Sequence, residues 1–210
     1  MPETIIKHAS KTALTLIVFA LVFTALLAYI FQITKEPIEK SEATARLALF
    51  RQIVPANMHD NDILKDTLTI APSDLLGNTQ SSIANRARIN NAPAAIILEA
   101  IAHDGYSGDI KLLIAIKYNG EISGVRVLTH KETPGLGDYI DIAKDDWIKL
   151  FDAESLTKTS GELAENKWKV KKDGGQFDYM AGATITPRAV VKAVHKALKY
   201  FETNKDALFA

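Results

Sequence analysis

Residues 110–129 read IKLLIAIKY, then NG at Asn119 and Gly120, then EISGVRVLT, and this stretch decides the fold. Two runs rich in β-branched and apolar residues flank an Asn-Gly pair, and both of those positions tolerate positive φ. The pattern predicts a hairpin and makes an antiparallel sheet the expected core. Immediately upstream, residues 94–102 (AAIILEAIA) read as a further strand that ends at the turn-like His103-Asp104-Gly105. Farther back, residues 55–91 are rich in Asn, Asp, Ser and Thr, which predicts loops with short elements near residues 64–70 and 81–89.

Downstream, the second hairpin strand delivers the chain to residues 130–138, HKETPGLGD. Pro134-Gly135 and Gly137 mark a tight turn whose backbone N–H groups are open to approach, so the stretch is either a plain connection or a binding loop. Residues 140–151 have an amphipathic helical pattern with Trp147 and Leu150 as apolar anchors. Trp168-Lys169-Val170 reads as a short strand ending at residues 171–175. Residues 178–188, DYMAGATITPR, form a small-residue turn that runs into a helix start. Thr186 suits the N-cap and Pro187 the first helical position. From there residues 187–202 carry one apolar stripe of Val190, Val191, Val194, Leu198 and Phe201, with Lys192, Lys196 and Lys199 outside it.

A helix N-terminus holds unpaired N–H groups and positive potential, so an anion beside Thr184 or Thr186 is well placed. Local pattern alone favours a capped helix that binds nothing. Arg188 reads either as a phosphate contact or as a solvated first-turn residue.

Residues 12–34 carry no charge and are dominated by Leu, Ile, Val, Phe and Ala. At 1.5 Å per residue they make about 34 Å of helix, enough for a hydrocarbon core of about 30 Å. No small-residue cleavage site follows, so an uncleaved anchor is expected. Glu36-Pro37 is expected to end this helix, and residues 38–54 to start a second one with Ala43, Leu47, Phe50 and Val54 on one side. Lys7 and Lys11 precede the span while Lys35, Lys40, Arg46 and Arg51 follow it, a bias that by itself would keep the C-terminal part inside. That rule weakens for a long translocated domain, so the residues leave the side open.

The chain has 210 residues and a formal net charge of zero, which argues against a nucleic-acid partner. The lack of Cys excludes disulfides, thiolate metal sites and thiol nucleophiles. Phosphate-loop and dinucleotide fingerprints and the hydrolase elbow are absent. His8, His59, His103, His130 and His195 lack metal-ligand spacing, and only His130, beside Glu132-Thr133, adjoins a candidate loop. Asp145-Asp146 reads as solvated helix charge, and no catalytic or metal-binding residue is assigned.

Asp178-Tyr179-Met180-Ala181-Gly182-Ala183-Thr184 resembles the flavinylation motif of the FMN-binding subunits of bacterial Rnf and sodium-pumping quinone reductase complexes. HKETPGLG at residues 130–137 resembles a second signature of the same domain. With the anchor, the whole chain is most similar to the G-subunit family of the Rnf ion-translocating electron-transport complex. One departure is Ala181, where that motif often has a hydroxyl residue.

The resemblance implies an α+β fold: one N-terminal transmembrane helix, then an FMN-binding domain with an antiparallel sheet flanked by helices. The expected parts are a tail at residues 1–11, the span at 12–34, a juxtamembrane helix and loop-rich segment at 35–93, and a domain core at 94–210. It implies FMN joined through its phosphate to Thr184, with Gly182 and Ala183 giving close approach and Asp178 serving recognition or metal-assisted attachment by a separate flavin transferase. Glu132, Thr133, Leu136, Gly137 and Thr186 are expected around the flavin or its phosphate. The implied role is a non-catalytic electron-relay subunit that works with the other Rnf subunits, in a bacterial inner membrane with the soluble domain in the periplasm. The alternatives are a membrane-anchored phosphate-ligand or scaffold module without redox activity, and a free-standing flavin reductase.

Overall fold

The structure, a computed structural model, describes residues 2–156 and 167–210. Contacts divide it into two units, residues 1–46 and 47–210. Helix α1 runs over Pro2–Ile53 and so contributes to both.

In the first unit α1 is long and apolar enough to cross a membrane, with a mean hydropathy of 2.6 in its most apolar window and none of that window buried. Two hydroxyls of the apolar stretch are satisfied within the helix. Thr15 donates to the Lys11 carbonyl at 2.9 Å and Thr34 to the Ile30 carbonyl at 2.8 Å, so neither hydroxyl needs water. The break expected at Pro37 does not occur, because α1 passes through it. Proline removes one N–H from the ladder, and the exposed i,i+4 pairs Lys35–Glu39 at 3.9 Å and Glu36–Lys40 at 2.7 Å bracket the gap.

The second unit is built on a five-stranded antiparallel meander in the order β1-β2-β3-β4-β5. The strands are β1 Thr67–Ile70, β2 Ser82–Ile89, β3 Ala92–Gly105, β4 Gly108–Lys117 and β5 Ile122–Thr129. The pleat explains why the central strands are apolar almost throughout. On β4, Leu112, Ile114 and Ile116 point into the larger core, while Leu113 and Ala115 point into a smaller one with Phe50 and Ile53 from the end of α1 and Val54 just beyond it. A sheet buried on both faces loses the alternation that a half-exposed sheet shows.

The larger core is closed by α2, Ile185–Phe209, whose Val190, Val191, Val194, Leu198 and Phe201 are all buried. Beside it lies an aromatic group centred on Phe151, which stacks on Phe177 at 4.7 Å between centroids and meets Trp147 edge-on at 5.5 Å.

Several boundaries differ from the sequence expectation. The tight two-residue turn is not at Asn119-Gly120 but at Asn90-Asn91, where φ is +49° and +64° and Ile89 pairs Ala92. Only Gly120 of the other pair has positive φ, at +90°, and its loop closes one residue wider, through Lys117 N–H to the Glu121 carbonyl at 2.8 Å. Strand β3 continues through His103 and Asp104, because a register shift after Ala102 lets Gly105 pair with Gly108 and moves the turn to Tyr106-Ser107. The expected helix over residues 140–151 is two 3-10 turns, Gly137–Ile140 and Asp146–Phe151. Asp141 and Asp145 accept from the backbone N–H groups of Ala143 and Trp147 at 3.0 and 2.8 Å, which competes with a continuous helical ladder. Leu150 is 40% exposed, and Trp147, Ile148 and Phe151 are the anchors instead. Near Trp168 there is one parallel bridge, Val170 with Phe177, rather than a strand.

Candidate functional site

Strand β5 ends at Thr129 and hands the chain to the loop predicted as a ligand wall. That loop is shaped by its own polar groups. Leu136 and Gly137 N–H both donate to the Thr133 carbonyl at 3.1 Å, and Gly135 N–H, at φ +77°, donates to the Asp138 carboxylate at 2.7 Å. Glu132 N–H donates to Nδ1 of His130 at 3.1 Å, which assigns His130 a role in the loop turn.

The turn at residues 178–184 is pinned from behind by two aromatic side chains. Trp147 Nε1–H donates to the Asp178 carbonyl at 2.7 Å. The Tyr139 hydroxyl accepts from Met180 N–H at 3.3 Å and donates to the Ala183 carbonyl at 3.4 Å. Burial pushes the Tyr139 phenol above its ordinary pKa, so it stays protonated as that donor. Gly182 sits at φ +87°, a conformation that favours glycine, and no atom lies within 4 Å of where a Cβ would be.

Loop and turn face each other across a cleft of about 220 Å³. Glu132, Thr133, Leu136 and Gly137 form one wall, and Gly182, Ala183, Thr184 and Thr186 the other. The structure therefore brings together eight of the nine residues singled out in the sequence. The ninth, Asp178, is outside the cleft and pairs with Lys171. Arg188 is engaged elsewhere too, with both Nε and Nη2 2.6 Å from the Asp173 carboxylate. That guanidinium holds the Asp173 carboxyl below its usual range.

Two wall residues escape the sequence reading. Ile185 adjoins the motif but resembles nothing in it, and Tyr106 comes from the β3–β4 hairpin tip, far away in sequence. The signal for Tyr106 lies in Gly105-Tyr106-Ser107-Gly108, an exposed aromatic between turn residues, once the strand is allowed to run that far.

Helix α2 begins two residues before the expected first position, Pro187. Ile185 is first, Thr184 occupies the cap position without a side-chain capping bond, and Pro187 is the third helical residue, where the missing N–H is still harmless. Thr186 is not the cap. It is 1% exposed, and its hydroxyl donates to Glu132 Oε2 at 2.6 Å. Glu132, 4% exposed, also accepts from Ser107 N–H at 3.0 Å, so one buried carboxylate ties together the hairpin tip, the loop and the start of α2.

The fit around that carboxylate is close. A Cβ on Gly137 would stand 2.7 Å from Glu132 Oε2 and 2.8 Å from Thr186 Oγ1. Gly137→Ala is expected to force these two groups apart and to destabilise the protein by about 2 kcal/mol, measured by urea denaturation of the full chain in detergent.

Two family matches divide along the architecture: residues 1–53 match the RnfG N-terminal region, and residues 105–199 the FMN-binding domain. Similar proteins carry one name. The G subunit of the ion-translocating oxidoreductase complex of Vibrio atlanticus (strain LGP32) is 44% identical over 200 residues, covering 95% of this chain and 93% of that protein. The protein of the same name from Pseudomonas aeruginosa (strain UCBPP-PA14) is 46% identical over 200 residues, covering 95% and 92%. The chain belongs to this G-subunit family. Among solved structures, Shewanella oneidensis NqrC matches 73% of this chain and 76% of its own at 20% identity and a TM-score of 0.47. For this member of the G-subunit family, the FMN-binding match runs from the end of β3 into α2 and so contains every wall of the cleft.

Proposed function

We propose that this chain is a membrane-anchored flavoprotein subunit of an ion-translocating electron-transport complex, carries FMN through a phosphoester to Thr184, and relays electrons between other subunits. Its family membership and its FMN-binding domain support the coarser part of that reading, a flavoprotein within such a complex. The attachment and the relay rest on the cleft.

The single observation that carries them is the setting of Thr184. Its hydroxyl makes no capping bond, it stands on the cleft wall at the start of α2, and two residues earlier in the turn Gly182 leaves open space. An anion there meets the unpaired first-turn N–H groups of Ile185 and Thr186 and the positive end of a 25-residue helix. Among the described residues Glu132 is the one carboxylate on the walls, and its two oxygens are taken by Ser107 and Thr186. These donors fit a phosphate.

Enclosed ligand pockets begin near 300 Å³. A cleft of about 220 Å³ would hold part of a flavin, with the exposed Tyr106, Leu136 and Ile185 on its walls to flank the remainder. An accessible cofactor edge is what a relay requires. A flavin supplies both one-electron and hydride chemistry. Attachment through phosphate leaves its ring unmodified, while the protein's part is to hold and orient it. The flavin is added by a separate flavin transferase, the span is residues 12–34, and the soluble part faces the periplasm of a bacterial inner membrane.

Intact mass tests this reading. Full-length protein coexpressed with a flavin transferase is expected to gain the mass of one FMN less one water and to be yellow after acid denaturation. Colourless protein of unmodified mass would support a scaffold or reversible phosphate-binding module instead.

A further inference from the structure

His103 lies near the end of β3, outside the cleft, and both of its ring nitrogens face acceptors. Nδ1 is 2.9 Å from a carboxylate oxygen of Asp109 on β4, and Nε2 is 2.7 Å from the backbone carbonyl of Gly77 in the loop between β1 and β2. Neither a carboxylate nor a carbonyl has a proton to give. A neutral imidazole has one N–H and one lone pair, so it satisfies one of these contacts and sets lone pair against lone pair in the other. The doubly protonated ring satisfies both.

We infer that His103 is an imidazolium clasp, controlled by protonation, that holds the tip of the β3–β4 hairpin, and with it the Tyr106 wall of the cleft, to the loop carrying Gly77.

The clasp adds a side-chain link between segments that also meet through their backbones. His103 is on the strand that leads into Gly105 and Tyr106, and Asp109 is on the strand that leaves the same tip. Gly77 packs tightly on β3, because a Cβ there would meet the Ile101 carbonyl at 2.3 Å, and Ile101 N–H donates to the Leu76 carbonyl at 2.8 Å. The charged groups around the ring favour the cation. Asp109, Asp104 and the loop residue Asp74 face Lys192 and Lys196 of α2, three carboxylates against two ammonium groups. Lys192 is committed to Asp104 at 2.6 Å, and Lys196 reaches the Asp74 carbonyl at 3.4 Å. The hydrogen bond to Asp109, and then that to Gly77, raise the His103 pKa above the ordinary imidazole value.

The sign follows. A group whose pKa is raised on folding adds stability that is fully present below its unfolded value, about 6.5, and is lost as pH climbs through the folded value. The link between the hairpin and the Gly77 loop is therefore strongest at mildly acidic pH and weakens in alkali, while the Ser107–Glu132 bond remains. The clasp does not depend on what the cleft binds.

The experiment uses full-length protein in detergent micelles. Nitrogen-15 NMR of the imidazole is expected to show both His103 nitrogens protonated at about pH 6, with a titration midpoint above the free-histidine value of about 6.5. Amide-exchange protection factors at residues 76–78 and 106–109, which divide out the intrinsic pH dependence, are expected to fall several-fold toward about pH 9. In His103→Gln they should not change with pH. Asp109→Asn keeps the ring and should move its midpoint down. A neutral single tautomer at about pH 6, an unmoved midpoint in Asp109→Asn, or an unchanged pH dependence in His103→Gln would each overturn the proposal.

Discussion

Thr184→Ala yields a folded protein with no covalent flavin: no fluorescent band on a denaturing gel and no added mass after coexpression with a flavin transferase. The expectation is all-or-none because the substitution removes the oxygen of the proposed phosphoester. It is also nearly free of structural side effects. Thr184 is half-buried and its side chain makes no capping bond, so unfolding free energy should stay within about 0.5 kcal/mol of wild type. Thr184→Ser keeps a hydroxyl and should keep the flavin. The informative control is Thr186→Ala. Both threonines flank the helix start; the motif resemblance points to Thr184, and the Thr186 hydroxyl is buried and committed to Glu132 at 2.6 Å. It is not presented to a modifying enzyme, so Thr186→Ala should retain covalent flavin while losing stability. A fluorescent band that survived in Thr184→Ala and vanished in Thr186→Ala would place the attachment on Thr186 and overturn the proposal.

The same pair of residues shows where reading the chain stops. The hairpin over residues 110–129 and the helix after Pro187 are local patterns, and apolar periodicity carries them. What the periodicity lacks is tertiary pairing. Strand β3 keeps His103 and Asp104 because Asp109, Gly77 and Lys192 offer them partners from three other segments, and no window of sequence around them contains that information. Asn90-Asn91 takes the two-residue turn from the better Asn-Gly signal because β2 and β3 pair up to Ile89 and Ala92, while β4 and β5 close one residue wider around Gly120. In the cleft, the two motifs could be read because each is contiguous. Tyr106 could not, since it arrives through the sheet; Asp178, read as a recognition or attachment residue, stands outside the cleft beside Lys171 and Trp147. Glu132 was legible as a wall residue, but not as the group that assembles the wall.

That role predicts the largest loss of stability among the site residues. Glu132→Ala is expected to cost about 3 kcal/mol, read as a lower urea midpoint at unchanged slope. Removing the carboxylate leaves the Ser107 N–H and the Thr186 hydroxyl without their acceptor in a region where Glu132 itself is 4% exposed. A buried donor left unpaired costs its full desolvation, and hydrogen bonds to a charged group are among the stronger ones. Glu132→Gln should cost about 1 kcal/mol, because the amide oxygen still accepts from Ser107 and the Thr186 hydroxyl can rotate to accept from the amide. The comparison that separates structure from ligand binding is the chain expressed without a flavin transferase. If Glu132 acts by tying the hairpin tip, the loop and the start of α2 together, the loss is the same with and without flavin. A loss confined to flavin-loaded protein would instead place Glu132 on the ligand, with Ser107 and Thr186 as bystanders.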